Sequence, residues 1–325
     1  MSIRQRTLRA ALWLALSAAT APLVCASPIL DPSAPNAFVM YGISSVPDFT
    51  GQFPTGYFLE GMAISGENLL VSVGTAVNSR YQTIWSMPLI RTAGHITAFG
   101  SASLFASVDT GGTQGNPLSG GLVTINGGVL YSTSTYSYFG QFLGSPTNTD
   151  TLTDIQGVAN SVGGMNYIPT GQTGAGQIKV NSTVNGSWYT LNLTGSPGTY
   201  VYQGNTAYNV NVPALSFAYL IPDSTFTSPS VAIGNGTNID VYTLDSAGNP
   251  CNGVTCAPVV HLADAVDSLI GFGIVRDPVT GDILYNTQSN QVYVLSDDIG
   301  EVPEPSTFAL AAGGIALFVI RARRR

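Results

Sequence analysis

The hydrophobic positions of this 325-residue chain fall in short runs, and polar turn residues separate one run from the next. Some runs alternate apolar and polar residues and others are apolar throughout, which is typical of β-strands buried on one face or on both. No long stretch repeats an apolar residue every 3.6 positions. The pattern predicts an all-β body with strands such as FVMYGIS, NLLVSVGT, GVLYSTS, SWYTLNL and QVYVL.

A longer pattern recurs along the body. Five segments each start with a small residue and an apolar strand, which a turn joins to a second strand. Their starts are 43 to 60 residues apart, near the length of a propeller blade. We predict a five-bladed β-propeller, with a six-bladed ring as the variant and a pair of β-sandwiches or a β-helix as the alternatives. The five segments begin at Gly61, Gly121, Gly164, Ser216 and Gly273.

The two ends of the body offer a way to close the ring. The last repeat has three strands, at Leu269–Arg276, Asp282–Thr287 and Gln291–Leu295, and then stops. Phe38–Ile43 is an apolar strand without a hairpin partner nearby. Pairing the two ends would remove exposed sheet edges, at which an apolar β-protein aggregates. We therefore predict that Phe38–Ile43 lies antiparallel to Gln291–Leu295 or to its outer neighbour.

The first 26 residues have the features of a secretory signal peptide that forms a helix. A basic segment with three arginines precedes the apolar segment Ala10–Val24. Small residues follow, so we expect signal peptidase to cut between Ala26 and Ser27. A lipoprotein signal at Cys25 is the alternative, but the residue before a lipidated cysteine is normally small, and Val24 is not.

The last 25 residues, 301–325, combine a Pro-Glu-Pro motif, a short apolar span and a basic end. We predict a short transmembrane helix over 306–320. The run Phe308–Ile320 within it has 13 residues without a charge and makes about 20 Å of helix against a hydrocarbon core of roughly 30 Å, so the anchor is weak. Basic residues beside a span stay cytoplasmic, which places the body on the outer side. The basic cluster is Arg321, Arg323, Arg324 and Arg325.

Behind a signal peptide, this order of motif, span and basic end resembles the PEP-CTERM proteins of Gram-negative bacteria. The resemblance implies that an exosortase, an integral-membrane cysteine protease or transpeptidase, removes the tail while the protein is held transiently in the inner membrane. It implies delivery to the cell surface, the extracellular matrix or a biofilm. An ordinary tail anchor is the alternative. The resemblance says nothing about the body, because it rests only on Pro303, Glu304, Pro305, Phe308–Ile320 and Arg321–Arg325.

The sequence thus predicts three parts, which are a signal peptide (1–26), an all-β body (27–300) and a sorting signal (301–325).

Charge limits the partners of the body. Residues 27–302 contain four basic and 17 acidic side chains, a net charge of −13. Nucleic acids and anionic membrane surfaces need clustered cations, so the charge argues against both as partners of the body's surface. The charge is compatible with a hydrated polysaccharide matrix or divalent cations, and it also serves solubility.

Metal-binding signals are weak, and we predict no cofactor, with calcium as the one candidate. Asp277 and Asp282 flank the sequence PVTG, where they could hold calcium. Proline and glycine at those positions favour an ordinary hairpin turn instead. The second candidate group is Asn148, Asp150 and Asp154, whose spacing lacks the alternating oxygen ligands and distal Glu of an EF-hand.

Catalytic motifs are equally sparse. The chain has two histidines, and His261 lies three residues from Asp264, so a Ser-His-Asp site could assemble from distant parts. Paired carboxylates for glycoside cleavage could include Glu60 or Glu67. G-x-S-x-G, HExxH and phosphate-loop motifs do not occur. We therefore predict no catalytic residue, and a histidine on a strand, such as His95, is interpreted as structural.

Two cysteines remain after the signal peptide is removed. Cys251 and Cys256 are five positions apart, and in an oxidising compartment they are expected to form a disulfide. So short a loop contributes about 2 kcal/mol in the chain-entropy treatment. A redox or metal role is the alternative.

Two classes of function fit these observations. The first is a non-enzymatic surface or matrix protein that binds exopolysaccharide or other proteins. The second is a secreted propeller-type hydrolase or lyase that acts on a carbohydrate or a lactone. A central pocket with three or more convergent acids would favour the enzyme, and an aromatic face without them would favour the binder. The aromatic candidates, which are equally expected to be cross-strand packing, are Tyr136, Tyr138, Trp188, Tyr200 and Tyr202.

Overall fold

In this computed structural model, every element of the described residues is a β-strand, and the strands form five antiparallel sheets. The helices predicted for residues 1–26 and 306–320 lie outside the described residues. The structure describes residues 29–30, 38–43, 57–75, 81–92, 94–110, 118–134, 136–143, 151–158, 162–223, 226–251, 256–265, 269–287 and 290–297.

Two strands precede the first repeat, β1 (Ile29–Leu30) and β2 (Phe38–Ile43). In blade 1, the long strand β5 pairs with β6 through its last residues and with β7 through its first residues. The strands of blade 1 are β3 (Tyr57–Ser65), β4 (Asn68–Thr75), β5 (Tyr81–Thr92), β6 (His95–Phe99) and β7 (Ser103–Asp109).

Blades 2 and 3 are four-stranded meanders, in which each strand pairs with the next along the chain. Blade 2 consists of β8 (Leu118–Ile125), β9 (Gly128–Thr133), β10 (Tyr138–Leu143) and β11 (Thr151–Asp154). Blade 3 consists of β12 (Val162–Tyr167), β13 (Ile178–Ser182), β14 (Trp188–Thr194) and β15 (Val201–Tyr208).

Blades 4 and 5 each take a strand from the N-terminal part of the chain. β1 adds an outer strand to blade 4, and β2 adds the outer strand of blade 5. Blade 4 contains β16 (Ser216–Leu220), β17 (Ser230–Gly234), β18 (Asn238–Thr243) and β19 (Val260–Asp264). Blade 5 contains β20 (Ile270–Arg276), β21 (Ile283–Thr287) and β22 (Val292–Asp297).

The first strand of each blade is the innermost strand, and it contacts the innermost strands of both neighbouring blades. These contacts run from blade 1 through blade 5 and back to blade 1, so the ring is closed. The predicted closing strand is confirmed, because β2 pairs antiparallel with β22 from Phe38 opposite Asp297 to Ile43 opposite Val292. The body is therefore a five-bladed β-propeller, and the six-bladed, sandwich and β-helix alternatives are wrong.

The hydrophobic core is divided among the five junctions between blades. Each buried cluster draws its residues from two adjacent blades, and every adjacent pair shares one. Middle strands are consequently buried on both faces; all six residues of β9 are buried. This explains why the runs in the sequence are apolar or small at successive positions instead of strictly alternating. The core also holds the five inner strands rigidly around one axis.

Candidate functional site

The axis is closed in its middle by backbone. A Cβ atom added at Gly120 of blade 2 would lie 1.9 Å from the carbonyl oxygen of Leu215 and 2.5 Å from that of Phe272. Those oxygens belong to blades 4 and 5, so three blades meet where this glycine lies. Only glycine permits so close an approach, because any side chain would collide with backbone. The axis at this level has no room for a ligand.

Polar side chains on the second strands hold the inner strands in this position. Asn181 accepts a hydrogen bond from the Gly164 amide (2.7 Å) and donates one to the Ala214 carbonyl of the next blade (2.9 Å). Asn286 repeats the arrangement, because it accepts from the Gly273 amide and donates to the Glu60 carbonyl, both at 2.6 Å. These side chains are buried and satisfied by backbone, so their role is to align the blades.

A cavity of about 550 Å³ opens on the axis where the five inner strands end. All five blades contribute to its wall. The floor is apolar, since Met62 and Leu122 are buried there, while amide, hydroxyl and phenol groups stand higher in the wall. This size is within the usual range for small-molecule sites. The residues that give the wall its character are Met62, Leu122, Thr124, Asn166, Tyr167 and Arg276.

The polar groups of the wall also tie neighbouring blades together. Thr124 donates to the Ile64 carbonyl of blade 1 (2.5 Å), and Asn166 donates to the Phe217 carbonyl of blade 4 (2.7 Å). Each keeps further hydrogen-bonding capacity, because a hydroxyl and a carboxamide have more donors and acceptors than these contacts use. The wall is therefore a fixed set of uncharged hydrogen-bonding groups.

The charged groups of the wall are paired within the protein. Arg276 forms an ion pair with Asp223 and donates to the Ile221 carbonyl (2.8 Å). Asp277 binds Arg91 through two hydrogen bonds of 2.8 and 3.0 Å. Among the described residues, no group of three or more His, Cys, Asp or Glu side chains is arranged to hold a metal ion. Three convergent acids, the arrangement that would favour an enzyme, are thus not found in this described cavity.

Of the two glutamates considered for glycoside cleavage, Glu60 lies on β3, the innermost strand of blade 1. It is in the bulge of β3 and is 7% exposed. Within the part of the chain that the structure describes, no hydrogen bond or ion pair joins its carboxyl to another side chain. Burial therefore raises the pKa of Glu60 well above its ordinary value, which favours the protonated form. Glu67, the other candidate, is 76% exposed and pairs with Arg91.

The Asp277–Asp282 segment forms the β20–β21 hairpin, as the turn chemistry predicts. The Asp277 amide donates to the Asp282 carbonyl (2.8 Å), and the Gly281 amide donates to the Asp277 carbonyl (2.9 Å). The two carboxylates point to different partners, Asp277 to Arg91 and Asp282 to the Ile96 amide (2.7 Å). Of the second calcium candidate group, Asp154 is exposed on β11, while Asn148 and Asp150 lie outside the described residues.

The histidines belong to structural hydrogen-bond networks. His261 lies 2.6 Å from Asp240, not beside Asp264 as the sequence spacing suggested. Nδ1 of His95 lies 2.6 Å from the Ser296 hydroxyl and 3.1 Å from Asp282. Ser296 and Asp282 thus contact the same ring nitrogen of His95. In a catalytic Ser-His-Asp triad, the serine contacts one ring nitrogen and the aspartate contacts the other. The buried Ser296 also donates to Asp282, so this cluster fastens blade 1 to blade 5.

The aromatic candidates do not gather into one face. Trp188 is fully buried, donates to the Val212 carbonyl (2.8 Å) and packs against Phe217. Tyr200 packs against the core between blades 2 and 3. Tyr202 packs against the same core and its hydroxyl donates to the Gln156 carbonyl, whereas Tyr136 is 46% exposed beside Tyr138. None of the five lines the axial cavity.

The predicted processing sites lie outside the described residues. These are the Ala26–Ser27 bond, the motif Pro303 to Pro305 and the arginine cluster, so their roles stay predictions. Among the described residues, no helix is long and apolar enough to cross a membrane. The structure joins Cys251 and Cys256 in a disulfide, with 4.8 Å between the Cα atoms. That the exported protein contains no free thiol stays a prediction.

Comparison with known proteins supports the sorting signal. Residues 301–325 match the family model of the PEP-CTERM protein-sorting motif. The match confirms the predicted signal and indicates an exported protein that an exosortase processes. It covers only the end of the chain and does not assign the body. A comparison with curated proteins finds no significant match.

Two solved structures align with most of this chain at low similarity. The crystal structure of Myxococcus xanthus glutaminyl cyclase is 12% identical, with a TM-score of 0.45, and the match covers 81% of this chain and 96% of that one. The structure of XC5397 from Xanthomonas campestris, a gluconolactonase, is 11% identical, with a TM-score of 0.43, and the match covers 85% and 96%. Similarity this low carries no information about the activity of the present chain.

Sequence reasoning missed the residues that build the axis and the cavity. Thr124, Asn166, Asn181 and Asn286 were not singled out, because each is one polar residue in a body rich in such residues. One signal was present. In blades 1 and 2 a serine follows the first glycine of the repeat, Gly61 or Gly121, by 11 positions, and each serine, Ser72 or Ser132, donates a hydrogen bond to the carbonyl of that glycine.

Proposed function

We propose that the mature body is a binding module of the cell surface or extracellular matrix that holds a neutral segment of exopolysaccharide in the axial cavity. One observation carries this proposal: the charged groups of the wall are paired internally, so Thr124, Asn166 and Tyr167 remain as uncharged groups that face a ligand. Hydroxyl, amide and phenol groups above an apolar floor suit a sugar, which has hydroxyl groups and C–H faces.

The cations of the body support a neutral ligand over an acidic one. Of the three cations that the structure describes in the body, Arg91 and Arg276 form ion pairs and Lys179 is fully buried. An acidic polysaccharide would therefore meet a body of net charge −13 without an accessible cluster of cations. The sorting signal supports the proposed location, because it indicates export and exosortase processing.

Binding is tested with the surface form of the protein and polysaccharide purified from the cells that produce it. Isothermal titration calorimetry should show binding that Tyr167→Ala and Asn166→Ala each weaken at least about tenfold, which corresponds to about 1.4 kcal/mol. Tyr136→Ala is the matched control, because this exposed tyrosine lies outside the cavity. Unchanged affinity in both cavity variants would show that the polysaccharide does not bind in the axial cavity.

Maturation is tested by the intact mass of the protein recovered from the native cell surface. Signal peptidase should leave Ser27 as the first residue, and the exosortase should cut near Pro303–Pro305. Replacement of Glu304 by alanine should cause the unprocessed tail to accumulate in the inner membrane. Recovery of a surface species that still carries Arg325 would contradict exosortase processing.

A secreted hydrolase or lyase is the second candidate, and Glu60 is the observation that favours it. Burial raises the pKa of Glu60, and a carboxyl that holds its proton more tightly than usual can act as a general acid. Cleavage of the polysaccharide would support this candidate. Hydrolysis is measured by the release of reducing ends, and elimination by the release of unsaturated products. Activity that survives Glu60→Gln would exclude Glu60 as the acid.

A further inference from the structure

Lys179 is the only lysine of the chain, and it is fully buried on β13 where blade 3 meets blade 4. Its Nζ atom donates to the Thr190 hydroxyl (2.6 Å) and to Oδ1 of Asn249 (2.9 Å), and it lies 4.6 Å from the centroid of the Tyr208 ring. Among the described residues, no carboxylate forms an ion pair with it. A buried ammonium that meets only neutral groups is an unfavourable arrangement, because it loses its hydration without gaining a counter-charge.

The environment of Lys179 shifts the side chain toward the uncharged amine, relative to a lysine in water. Burial lowers the pKa of Lys179 to about 8, although the negative charge of Asp245 acts in the opposite direction. At this pKa, about a tenth of the side chains are neutral at pH 7. A desolvated lysine amine is a nucleophile, and the group that it faces is a carboxamide.

The carboxamide of Asn249 is held in one orientation. Asn249 is fully buried, and one aspartate binds it through both carboxylate oxygens. Oδ1 of Asp245 accepts from the Asn249 amide of the backbone (2.8 Å), and Oδ2 accepts from Nδ2 of the side chain (2.9 Å). The nitrogen of the carboxamide thus faces a carboxylate and its oxygen faces Lys179. The carbonyl carbon is one C=O bond, about 1.2 Å, from the oxygen that Nζ already contacts.

We propose that Lys179 and Asn249 condense to an intramolecular isopeptide bond that links blade 3 covalently to blade 4. The lone pair of the neutral Nζ adds to Cγ of Asn249, and the bond between Cγ and Nδ2 then breaks. Nζ of Lys179 gives up one proton. Nδ2 of Asn249 takes up this proton and leaves as ammonia. No oxidant or further reactant is needed, because an amine and an amide exchange to give an amide and ammonia.

Asp245 is the positioning residue of this step. Its carboxylate is bonded to the nitrogen that leaves, so it holds the carboxamide and lies where a proton must arrive. The buried amine of Lys179 and the carboxamide of Asn249 are already in contact. Such fixed proximity lowers the activation barrier relative to that of the bimolecular reaction. The product is also better suited to the site than the reactants, since a neutral amide takes the place of a buried cation.

The cross-link would close a covalent loop from residue 179 to residue 249. Within it lie strands β14 to β18, which include the outer strand of blade 3 and most of blade 4. A protein at the cell surface meets proteases and shear, and a covalent tie between two blades would keep them together when local hydrogen bonds open. The proposed modification thus makes the junction between blades 3 and 4 permanent.

The decisive measurement is the intact mass of the surface protein after reduction and denaturation. Condensation releases ammonia, so the mass should be about 17 Da below the value that the sequence requires. Because Lys179 is the only lysine, an amine-reactive label should modify the denatured protein only at its N-terminus. Trypsin should fail to cut after Lys179, and tandem mass spectrometry should find a branched peptide that contains Lys179 and Asn249.

Three variants separate the reaction from the fold. Lys179→Met keeps a long apolar side chain in the site and should show no mass deficit beyond the substitution itself. Asp245→Asn should fold, as judged by its β-sheet circular dichroism, but should form the cross-link at least about tenfold more slowly. Asn249→Asp should show a loss of about 18 Da if it reacts at all, because water leaves in place of ammonia.

Two results would overturn the proposal. One is a wild-type protein that keeps its full mass and accepts two amine labels per chain after prolonged incubation at pH 8. The other is a 17 Da deficit that persists in Lys179→Met, since that loss would arise elsewhere in the chain. An Asp245→Asn variant that reacts at the wild-type rate would overturn the role assigned to Asp245.

Discussion

The junction between blades 5 and 1 and the junction between blades 3 and 4 each hold a cationic side chain, Arg91 partly buried and Lys179 fully buried, but the two side chains have different partners. At the first junction, Arg91 of β5 meets the buried carboxylate of Asp277 through two parallel hydrogen bonds. At the second, Lys179 of β13 meets a hydroxyl, a carboxamide and an aromatic ring. The first junction pairs its cation with a carboxylate, whereas at the second no carboxylate among the described residues contacts the cation.

This difference follows from what each junction must do. The junction between blades 5 and 1 brings together strands from the two ends of the body, so it has to assemble from distant parts during folding. A charge pair with two directional hydrogen bonds helps to select the correct register. The junction between blades 3 and 4 joins consecutive blades, and there a single cation among neutral groups is tolerated. The free-energy cost of burying the charge of Lys179 is removed if its amine becomes an amide.

The largest effect is expected from removal of residues 28–44, which supply the strands that close blade 5 and extend blade 4. The variant should aggregate and lose cooperative unfolding, because a sheet edge of blade 5 is exposed. Thermal unfolding followed by circular dichroism measures this loss. The control returns Phe38–Ile43 to the C-terminal side of β22 through a short turn, which the pairing of Phe38 with Asp297 permits. An unchanged melting temperature of the deleted protein would contradict the role of the closing strand.

The next effect concerns the charge pair between blades 5 and 1. Asp277→Asn should lower the free energy of unfolding by about 3 kcal/mol, because it leaves the guanidinium of Arg91 partly buried without its main counter-charge. Glu67→Gln is the matched control, since Glu67 binds the same arginine from a side chain that is 76% exposed. That control should cost less than about 0.5 kcal/mol. If urea denaturation gives the two variants equal losses of unfolding free energy, burial does not explain the different contributions expected of Asp277 and Glu67.

A smaller effect is expected from the disulfide beside the junction of blades 3 and 4. Replacement of Cys251 and Cys256 by serine should cost about 2 kcal/mol, the chain entropy of a six-residue loop. Thiol labelling of the unreduced, denatured wild-type protein should find no free cysteine. Because Cys251 lies two residues after Asn249, the double variant should also slow formation of the proposed cross-link. Quantitative labelling of both thiols in the wild type would remove the disulfide and restore the metal hypothesis.

The smallest effect, on the order of 1 kcal/mol, concerns two carboxyls at the junction of blades 5 and 1 whose pKa values shift in opposite directions. Burial alone raises the pKa of Glu60. Burial also raises that of Asp277, but hydrogen bonds from Arg91, Val279 and Thr280 and the charge of Arg91 outweigh it, so the net pKa is lowered. The two groups should therefore change the stability with opposite dependence on pH.

The expected signs follow from the protons bound in each state. Asp277 stabilises the folded protein above its unfolded pKa of about 3.9, and this contribution is lost as the pH falls through its folded pKa. The contribution of Glu60 is present below its unfolded pKa of about 4.3 and is lost as the pH rises toward its folded pKa. Glu60→Gln should thus gain stability over the wild type at pH 7 but not at pH 3.5. Urea midpoints across this range measure both slopes, and a gain that is independent of pH would contradict the assignment.

Local patterns determined a large part of this architecture. Apolar and small residues at successive positions specified strands buried on both faces, and the recurrence from Gly61 to Gly273 indicated the number of blades. The unpaired strand Phe38–Ile43 indicated how the ring closes, because an exposed apolar edge needs a partner. Predicted and observed bounds of the last blade differ by one or two residues. The sorting signal could also be found in this way, since a signal is recognised as a linear segment.

Only the tertiary structure decided which polar residues meet. Arg91 and Asp277 are 186 positions apart, and Lys179 and Asn249 are 70 positions apart. His261 pairs with Asp240 and not with its near neighbour Asp264. No local pattern specifies such pairs, because the stagger of the blades and the rotation between them bring side chains together across junctions. The cavity has the same origin: its wall takes residues from the ends of five strands that the chain visits in turn, and each of those residues is ordinary in its own segment.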